Sequence, residues 1–261
     1  MPDIHVSVFF FKAGRLCRPL AGVVLAGLLG ACALLPDADA PATARSPTPW
    51  DVASLTNAHS AQAGSPASQW QHQTFPGKAA NQFAYLQLDG RQAMGVRSKA
   101  AASMLRKTVS IDPAQLAALR FSWKVPALIE GADMALPEKS DSPVRLVLAF
   151  EGDRSRLSPR DHMLSELARA LTGEEMPYAT LMYVWCNKRP ADSVVVNPRT
   201  DRIRSVVVES GKKNLRQWLD YKRNVRHDFK KAYGEAPGKL LSVAIMTDSD
   251  NTKTQITASY G

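Results

Sequence analysis

Short apolar runs separated by turn residues fill the chain from residue 83 to residue 260, and they predict a mainly β fold. Residues 105–111 alternate apolar and polar positions, as a strand with one buried face does. Residues 144–150 are continuously apolar, which is typical of a central strand. Asp89-Gly90 lies between two such runs and indicates a hairpin. The nine predicted strands are residues 83–88, 92–97, 105–111, 119–125, 144–150, 180–186, 203–209, 240–247 and 254–260.

Two segments show instead the 3.6-residue apolar period of an α-helix. The first is predicted from Ser158, a good N-cap followed by Pro159, to Gly173, a good C-cap. The second is predicted from Asn214 to about Tyr233. Regularly spaced strands with only two helices predict an antiparallel β-sandwich of jelly-roll or galactose-binding type, with the two α-helices as accessory elements.

The N-terminal segment has the layout of an export signal. Three basic residues precede an apolar run at residues 20–29, which is too short to span a bilayer. The run ends in Leu-Gly-Ala-Cys32, which resembles the lipobox of bacterial lipoproteins. We therefore expect residues 1–31 to be removed as a signal peptide and Cys32 to carry the lipid. An ordinary export signal and an uncleaved anchor are the alternatives.

Residues 32–68 are rich in Ala, Pro, Ser and Thr, and such a segment cannot bury enough apolar surface to offset its ordering entropy. They are predicted to tether the lipid to a folded domain at residues 69–261. Ala33 follows the lipid-bearing residue, where an Asp would favour retention at the inner membrane. The predicted location is the cell envelope, at the outer membrane and facing the periplasm.

The chain is basic, with 33 Lys and Arg against 24 Asp and Glu and a net charge of +9. Such a surface attracts polyanions and acidic membrane faces. Because the chain is predicted to be exported, nucleic acid is a poor candidate ligand, and acidic glycans or lipid head groups are better ones. The alternative interpretation is that the basic residues only keep the protein soluble. Outside the signal and the lipid site, Cys186 is the one cysteine, so it has no disulfide partner within the chain. It is expected to be a small buried hydrophobe.

Asp248, Asp250 and Asn251 place three oxygen-bearing side chains within four residues. Asp and Asn favour turns because they hydrogen-bond their own backbone, so a hairpin turn is one interpretation. The same residues could bind a polar ligand. Asp248 and Asp250 could also contribute to a Ca²⁺ site, which needs six to eight oxygens, although the Gly and the distant Glu of an EF-hand are missing. No cofactor other than this Ca²⁺ is indicated.

A second candidate set, Arg223, Asn224, His227 and Asp228, is predicted on the second helix. Arg223 and His227 are four residues apart and would share a face. Arg223 could bind a carboxylate or sulfate in bidentate fashion, and His227 could titrate near neutrality. A solvated face with ordinary ion pairs is one alternative. Pairing of Arg223 with an aspartate of the 248–250 turn is another.

Tyr183, Trp185 and Trp123 lie in predicted strands and could form a platform for stacking sugar rings, although alternating strand aromatics are also typical of a core. The Gly-x-Ser-x-Gly turn of serine hydrolases is missing from the sequence, as are zinc-ligand spacings and a phosphate-binding glycine loop. No catalytic residue is assigned on this basis.

Several segments recur in the same order in a known family. They are Trp123-Lys124-Val125, Tyr183-Val184-Trp185, Arg223-Asn224-Val225 and Asp248-Ser249-Asp250-Asn251-Thr252. Through them the chain is similar, over roughly residues 70–261, to exported bacterial proteins classed as a domain of unknown function. The resemblance implies a shared β-sandwich-like domain and brings no activity, substrate or catalytic residue.

The expected function is non-catalytic binding of an envelope polysaccharide or another acidic glycan. A polysaccharide lyase or hydrolase is the first alternative, with Arg223 and His227, or Tyr183, as acid and base. An envelope assembly factor that binds protein is the second alternative. Membrane attachment through the N-terminal lipid is expected in each case.

Overall fold

The structure is a computed structural model that describes residues 4–5, 70–116 and 118–261. The predicted lipid site Cys32, the tether and nearly all of the predicted signal peptide lie outside the described residues. Within the described parts of the chain, no helix has the length and apolarity needed to cross a membrane.

The described residues form two β-sheets and two α-helices, which confirms the predicted mainly β sandwich. Sheet A contains β1 (Ile4–His5), β3 (Gln82–Leu88), β4 (Arg91–Lys99), β6 (Ala118–Lys124), β11 (Trp218–Asn224) and β13 (Gln255–Tyr260). Sheet B contains β2 (Gln71–Thr74), β5 (Ala102–Ile111), β7 (Ser142–Phe150), β8 (Ala179–Cys186), β9 (Val194–Val196), β10 (Ile203–Ser210) and β12 (Leu240–Asp248). The helices are α1 (Pro159–Thr172) and α2 (Val225–Tyr233).

Strand pairing is antiparallel in most of both sheets. Sheet A follows the order β1-β6-β13-β4-β3, with β11 also paired to β6, and sheet B follows β2-β5-β12-β7-β8-β10-β9. Two pairs depart from the antiparallel prediction, because β10 runs parallel to β8 and the two-residue β1 runs parallel to β6. The β3–β4 hairpin turns at Asp89 and Gly90, both with positive φ, as the sequence predicts.

The inner faces of the two sheets share one hydrophobic core. Phe121 on β6 stacks on Tyr183 of β8 with ring centroids 5.5 Å apart and on Tyr221 of β11 at 5.2 Å. Trp123, also on β6, lies 5.1 Å from Phe121. Aromatic side chains from both sheets therefore fill the space between them, and each adds stacking energy to its area of burial.

The second predicted helix is wrong over its first half. Residues 218–224 form β11, which pairs with β6 from Trp218 opposite Lys124 to Asn224 opposite Ala118. Leu219 and Tyr221 pack against the core. Polar residues alternate with them along β11, so the two-residue period of a strand was present in the sequence. Only residues 225–233 are helical, as α2.

The first predicted helix forms with the predicted caps. Ser158 Oγ accepts a hydrogen bond from Asp161 N at 3.1 Å, and Gly173 ends α1 in the left-handed conformation with φ 80°. Its apolar stripe is not buried, however, since Leu167 and Leu171 are 53% and 61% exposed. Asp161 and Ser165 are the side chains of α1 that are buried.

Tyr260, on the last strand of sheet A, joins the two sheets through its hydroxyl. The ring is buried, and the hydroxyl donates to Met246 O of β12 at 2.5 Å. The same oxygen accepts from Arg145 N of β7 at 3.3 Å and lies 3.2 Å from Thr247 Oγ1. A polar contact inside the core therefore aligns β13 with two strands of sheet B.

Replacing Tyr260 with Phe keeps the ring and removes this hydroxyl, which leaves buried polar atoms without a partner. We expect the free energy of unfolding to fall by about 1–3 kcal/mol, measured by urea denaturation. Tyr85→Phe is the matched control, because Tyr85 on β3 is only partly buried. Equal stability of the Tyr260 and Tyr85 variants would contradict this account.

Candidate functional site

The N-terminus of α2 directly follows β11, and Asn224 makes the transition. The side chain of Asn224 accepts a hydrogen bond from His227 N at 3.1 Å, so Asn224 is the N-cap of α2. Arg223 therefore sits at the end of a strand and not on the helix. His227 lies in the first turn, and its side chain is 73% exposed.

A buried carboxylate, Asp228, organises the side chains around this point. Asp228 is 2% exposed and accepts two hydrogen bonds from Arg223, from Nε to Oδ2 and from Nη2 to Oδ1, both at 2.9 Å. Tyr183 OH also donates to Asp228 Oδ2 at 2.9 Å. Arg223 Nη2 reaches the exposed Asp192 at 2.8 Å. We call Tyr183, Asp192, Arg223 and Asp228 the arginine network.

The arginine network shifts the pKa values of Tyr183 and Arg223. Burial raises the pKa of Tyr183 well above its usual value, and the adjacent Asp228 carboxylate raises it further. Burial would lower the pKa of Arg223, but its hydrogen bonds to Asp228 and Asp192 outweigh burial and raise it. The bidentate geometry fixes the guanidinium against Asp228. Arg223 is therefore a bracing residue, and its donors are largely used within the protein.

The exposed side of α2 is entirely basic. Its four exposed side chains are Arg226, His227, Lys230 and Lys231, and we call them the basic helix face. Its one acidic residue, Asp228, points inward. Within the described residues, no carboxylate forms an ion pair with Arg226 or Lys230.

The predicted set Asp248, Asp250 and Asn251 lies at the end of β12 and in the turn that follows it, and a residue before β7 braces that turn. Asp141, just before β7, accepts hydrogen bonds from Asn251 N and Nδ2 at 3.2 and 2.8 Å. It also accepts from Thr252 N and Oγ1 at 2.7 and 2.6 Å. Burial would raise the pKa of Asp141, but these four hydrogen bonds lower it. The turn is thus fixed to the start of β7.

Asp248 and Asp250 lie beside Asp141. Arg145 Nη2 contacts Asp248 Oδ2 at 2.9 Å, and Lys78 forms an ion pair with Asp250. Burial raises the pKa of Asp248, and neighbouring Asp250 and Asp141 add to the rise while Arg145 opposes it. One oxygen from each of the three aspartates lies within 4.8 Å of the others. We call Asp141, Asp248 and Asp250 the acidic cluster.

The two predicted sets do not form one site. Asp141 precedes the first residue of β7, whereas Phe150, the last residue of β7, packs on Phe229 of α2 with ring centroids 4.8 Å apart. A nine-residue strand therefore separates the acidic cluster from α2, by roughly 25 Å. The predicted alternative in which Arg223 pairs with the 248–250 turn is wrong, because Arg223 forms ion pairs with Asp228 and Asp192 instead.

The predicted stacking platform is not formed. Tyr183 and Trp185 are 0% and 1% exposed, and Trp123 is also buried. Their rings belong to the core between the sheets, so none of them presents a face to a sugar from solvent. Tyr183 instead contributes its hydroxyl to the arginine network.

A groove of about 450 Å³ lies between β2 and the end of α1, and sequence reasoning missed it. Its lining includes Gln71, Gln73, Arg106 and Leu171. Arg106 is held there by a bidentate pair with Glu174, at 2.5 and 2.8 Å. The strand β2 was not predicted, because four polar residues carry no apolar alternation. None of the predicted site residues lines this groove.

Comparison with protein families identifies the family of this chain but gives no activity. The family described as "Protein of unknown function (DUF3047)" matches residues 68–261, which is most of the chain. The chain belongs to the DUF3047 family. This result confirms the resemblance drawn from the sequence segments. The family description assigns no activity to the DUF3047 domain.

No curated protein matches this sequence. Among solved structures, the DUF3047 domain is similar to the xyloglucanase domain of NopAA, a type three effector from Sinorhizobium fredii, in complex with cellobiose. The identity is 8%, the match covers 74% of this chain and 90% of that chain, and the TM-score is 0.39. A likeness at this level carries no argument about substrate or activity.

The arginine network predicts a large cost for removing the charge of Asp228. Asp228→Asn keeps the shape but leaves the Arg223 guanidinium without its buried counter-charge, and we expect the free energy of unfolding to fall by about 3–5 kcal/mol. Asp192→Asn removes the exposed partner of the same guanidinium and should cost at most about 1 kcal/mol. Urea denaturation of both variants measures the difference, and similar losses would contradict a network centred on Asp228.

Proposed function

We propose that this protein is a non-catalytic binding module of the cell envelope that recognises an acidic polysaccharide through the basic helix face. The observation that carries the proposal is that the basic side chains of α2 are exposed and its acidic side chain is buried. Four basic side chains point to solvent, and the one acidic side chain is buried beneath them.

The geometry of the basic helix face suits a polyanion. Arg226 and Lys230 are four residues apart and lie on the same side of α2. Lys231 is positioned by a hydrogen bond from its ammonium to Asp192 O at 2.8 Å. A row of cations on a rigid element interacts with repeated carboxylates or sulfates along a chain, and arginine can bind such groups in bidentate fashion.

The support beneath α2 is rigid. Phe229 packs between Phe150 at 4.8 Å and Tyr233 at 4.5 Å, and it is fully buried. Asn224 and Asp228 fix the first turn. The cations are therefore displayed on a helix that does not need to order itself on binding, which reduces the entropic cost of recognition.

The enzyme alternative finds less support in the geometry. Tyr183 would have to serve as acid or base, yet it is buried and its hydroxyl donates to Asp228. Arg223 is committed to Asp228 and Asp192, so its guanidinium has little free capacity for a substrate. His227 remains accessible, but it lies on the exposed helix face and does not line the groove between β2 and α1.

Binding can be tested with residues 33–261, because both hydrophobic clusters of the structure lie within residues 70–261. We expect this chain to bind alginate, a polyuronate, and to bind neutral dextran of similar length much more weakly. Calorimetric titration in low and high salt measures both affinities. Because exposed charges are screened by salt, the affinity for alginate should fall as salt rises. Equal binding of the two polymers would contradict the proposal.

The double variant Arg226→Gln with Lys230→Gln tests whether the binding site lies on the basic helix face. We expect it to weaken alginate binding about tenfold, since two exposed ionic contacts of up to about 1 kcal/mol each are lost. Lys139→Gln with Arg160→Gln removes the same charge elsewhere and should change affinity little. Gln71→Ala with Gln73→Ala tests the groove beside β2. Loss of binding in either control, with the helix variant unaffected, would contradict the assignment to α2.

Envelope attachment is proposed to occur through a lipid on Cys32. Two acyl chains bury enough methylene groups for stable anchoring. In a bacterial host, the full chain should incorporate a clickable palmitate analogue and sediment with membranes. Cys32→Ser should abolish the labelling, and Cys17→Ser should preserve it. Labelling that survives in the Cys32 variant would contradict a lipoprotein.

A further inference from the structure

The acidic cluster is separate from the basic helix face, and two direct ion pairs reach its three carboxylates. Asp141, Asp248 and Asp250 are 2%, 6% and 6% exposed. Arg145 pairs with Asp248, and Lys78 pairs with Asp250. Three carboxylates therefore face two paired cations.

Among the described residues, no Lys or Arg forms an ion pair with Asp141. Its four hydrogen bonds come from the neutral amide and hydroxyl groups of Asn251 and Thr252. Lys253 acts on Asp250 from an exposed position, where its charge is screened by water. Buried charge without a counter-charge is costly, so a cation bound between the aspartates would stabilise the acidic cluster.

The second observation concerns a single atom. Asp248 Oδ1 is fully buried and accepts no hydrogen bond from any described residue, while Oδ2 of the same carboxylate is bonded to Arg145. Buried carboxylate oxygens are almost always paired. Asp248 is one of the three residues that each place a carboxylate oxygen within 4.8 Å of the others, so the unpaired oxygen belongs to a side chain of the acidic cluster.

We propose that the acidic cluster binds a Ca²⁺ ion through Asp248 Oδ1 together with the carboxylates of Asp250 and Asp141. All of these donors are hard oxygens, as Ca²⁺ requires. Ca²⁺ also tolerates irregular geometry, whereas Mg²⁺ demands a near-ideal octahedron. The carboxylate of Asp141 is already held by four hydrogen bonds, which favours the ion with the more adaptable geometry. Water completes the six to eight ligands.

The position of the ion gives it a structural role. Asp248 ends β12 in sheet B, and the turn that contains Asp250 leads into β13 in sheet A. Asp141 begins the segment that enters β7. A Ca²⁺ ion at this point ties the crossover between the two sheets to a central strand, at the end of the sandwich opposite α2.

The first test is thermal unfolding of residues 33–261 after EDTA treatment, followed by titration with CaCl₂ to 5 mM. Because the ion binds the native state, the midpoint should rise by several degrees and level off. Asp248→Asn keeps the size of the side chain and should lose this rise. Asp112→Asn is the matched control, because Asp112 is exposed and lies beyond β5 at the far end of sheet B. It should respond as the unmodified chain does.

A second measurement protects the test against a variant that fails to fold. Tb³⁺ should bind the unmodified chain saturably, give luminescence sensitised by its aromatic residues, and be displaced by Ca²⁺. A flat midpoint in Ca²⁺ without Tb³⁺ binding would overturn the proposal, as would an undiminished Ca²⁺ response in folded Asp248→Asn. A response to Mg²⁺ and not to Ca²⁺ would overturn the choice of ion. None of these readouts uses a glycan, so the result stands apart from the proposed function.

Discussion

The buried carboxylate of Asp228 is the contact on which the arrangement around α2 depends. It accepts hydrogen bonds from Tyr183 of sheet B and from Arg223 of sheet A, and Asp228 itself is a residue of α2. A charge in the core is stable only when its partners surround it, so this carboxylate holds three elements in one relative position. The basic helix face follows from that constraint. Since the one acidic side chain of α2 is turned inward, every exposed side chain of the helix is basic.

The basic helix face and the acidic cluster lie at different ends of β7. α2 closes one end, where Phe229 meets the last residue of β7. The acidic cluster lies at the other end, where Asp141 precedes the first residue of the same strand. The proposals of glycan binding and of Ca²⁺ binding therefore concern different parts of the molecule, and each can be tested independently of the other.

Local signals in the sequence were reliable because the interactions behind them span only a few residues. Asp89-Gly90 adopts the positive φ angles that a tight hairpin needs, and Ser158 and Gly173 cap α1 as expected. The β11 segment was misread because apolar side chains happen to satisfy both a helical and a strand period there. Pairing with β6 decides between them, and Asn224 then starts the helix.

The candidate sites depend on contacts that no local pattern encodes. Tyr183 and Asp228 are 45 residues apart in sequence, and Asp141 lies 111 residues before Thr252. The sequence identified most of the polar residues of both sites, yet it could not divide them into two groups. It also treated Tyr183 and Trp185 as candidate ligand contacts, although strand pairing buries both. Which face of a strand is buried depends on the partner sheet, and a single sequence does not show that partner.

The most direct test of the central claim is to map the polymer-binding surface by NMR. Amide chemical shifts of ¹⁵N-labelled residues 33–261 would be followed during titration with alginate oligosaccharides. The account predicts that the largest changes fall on residues 225–231 of α2 and on neighbouring β11. Changes confined to the groove between β2 and α1, or no changes at all, would contradict it.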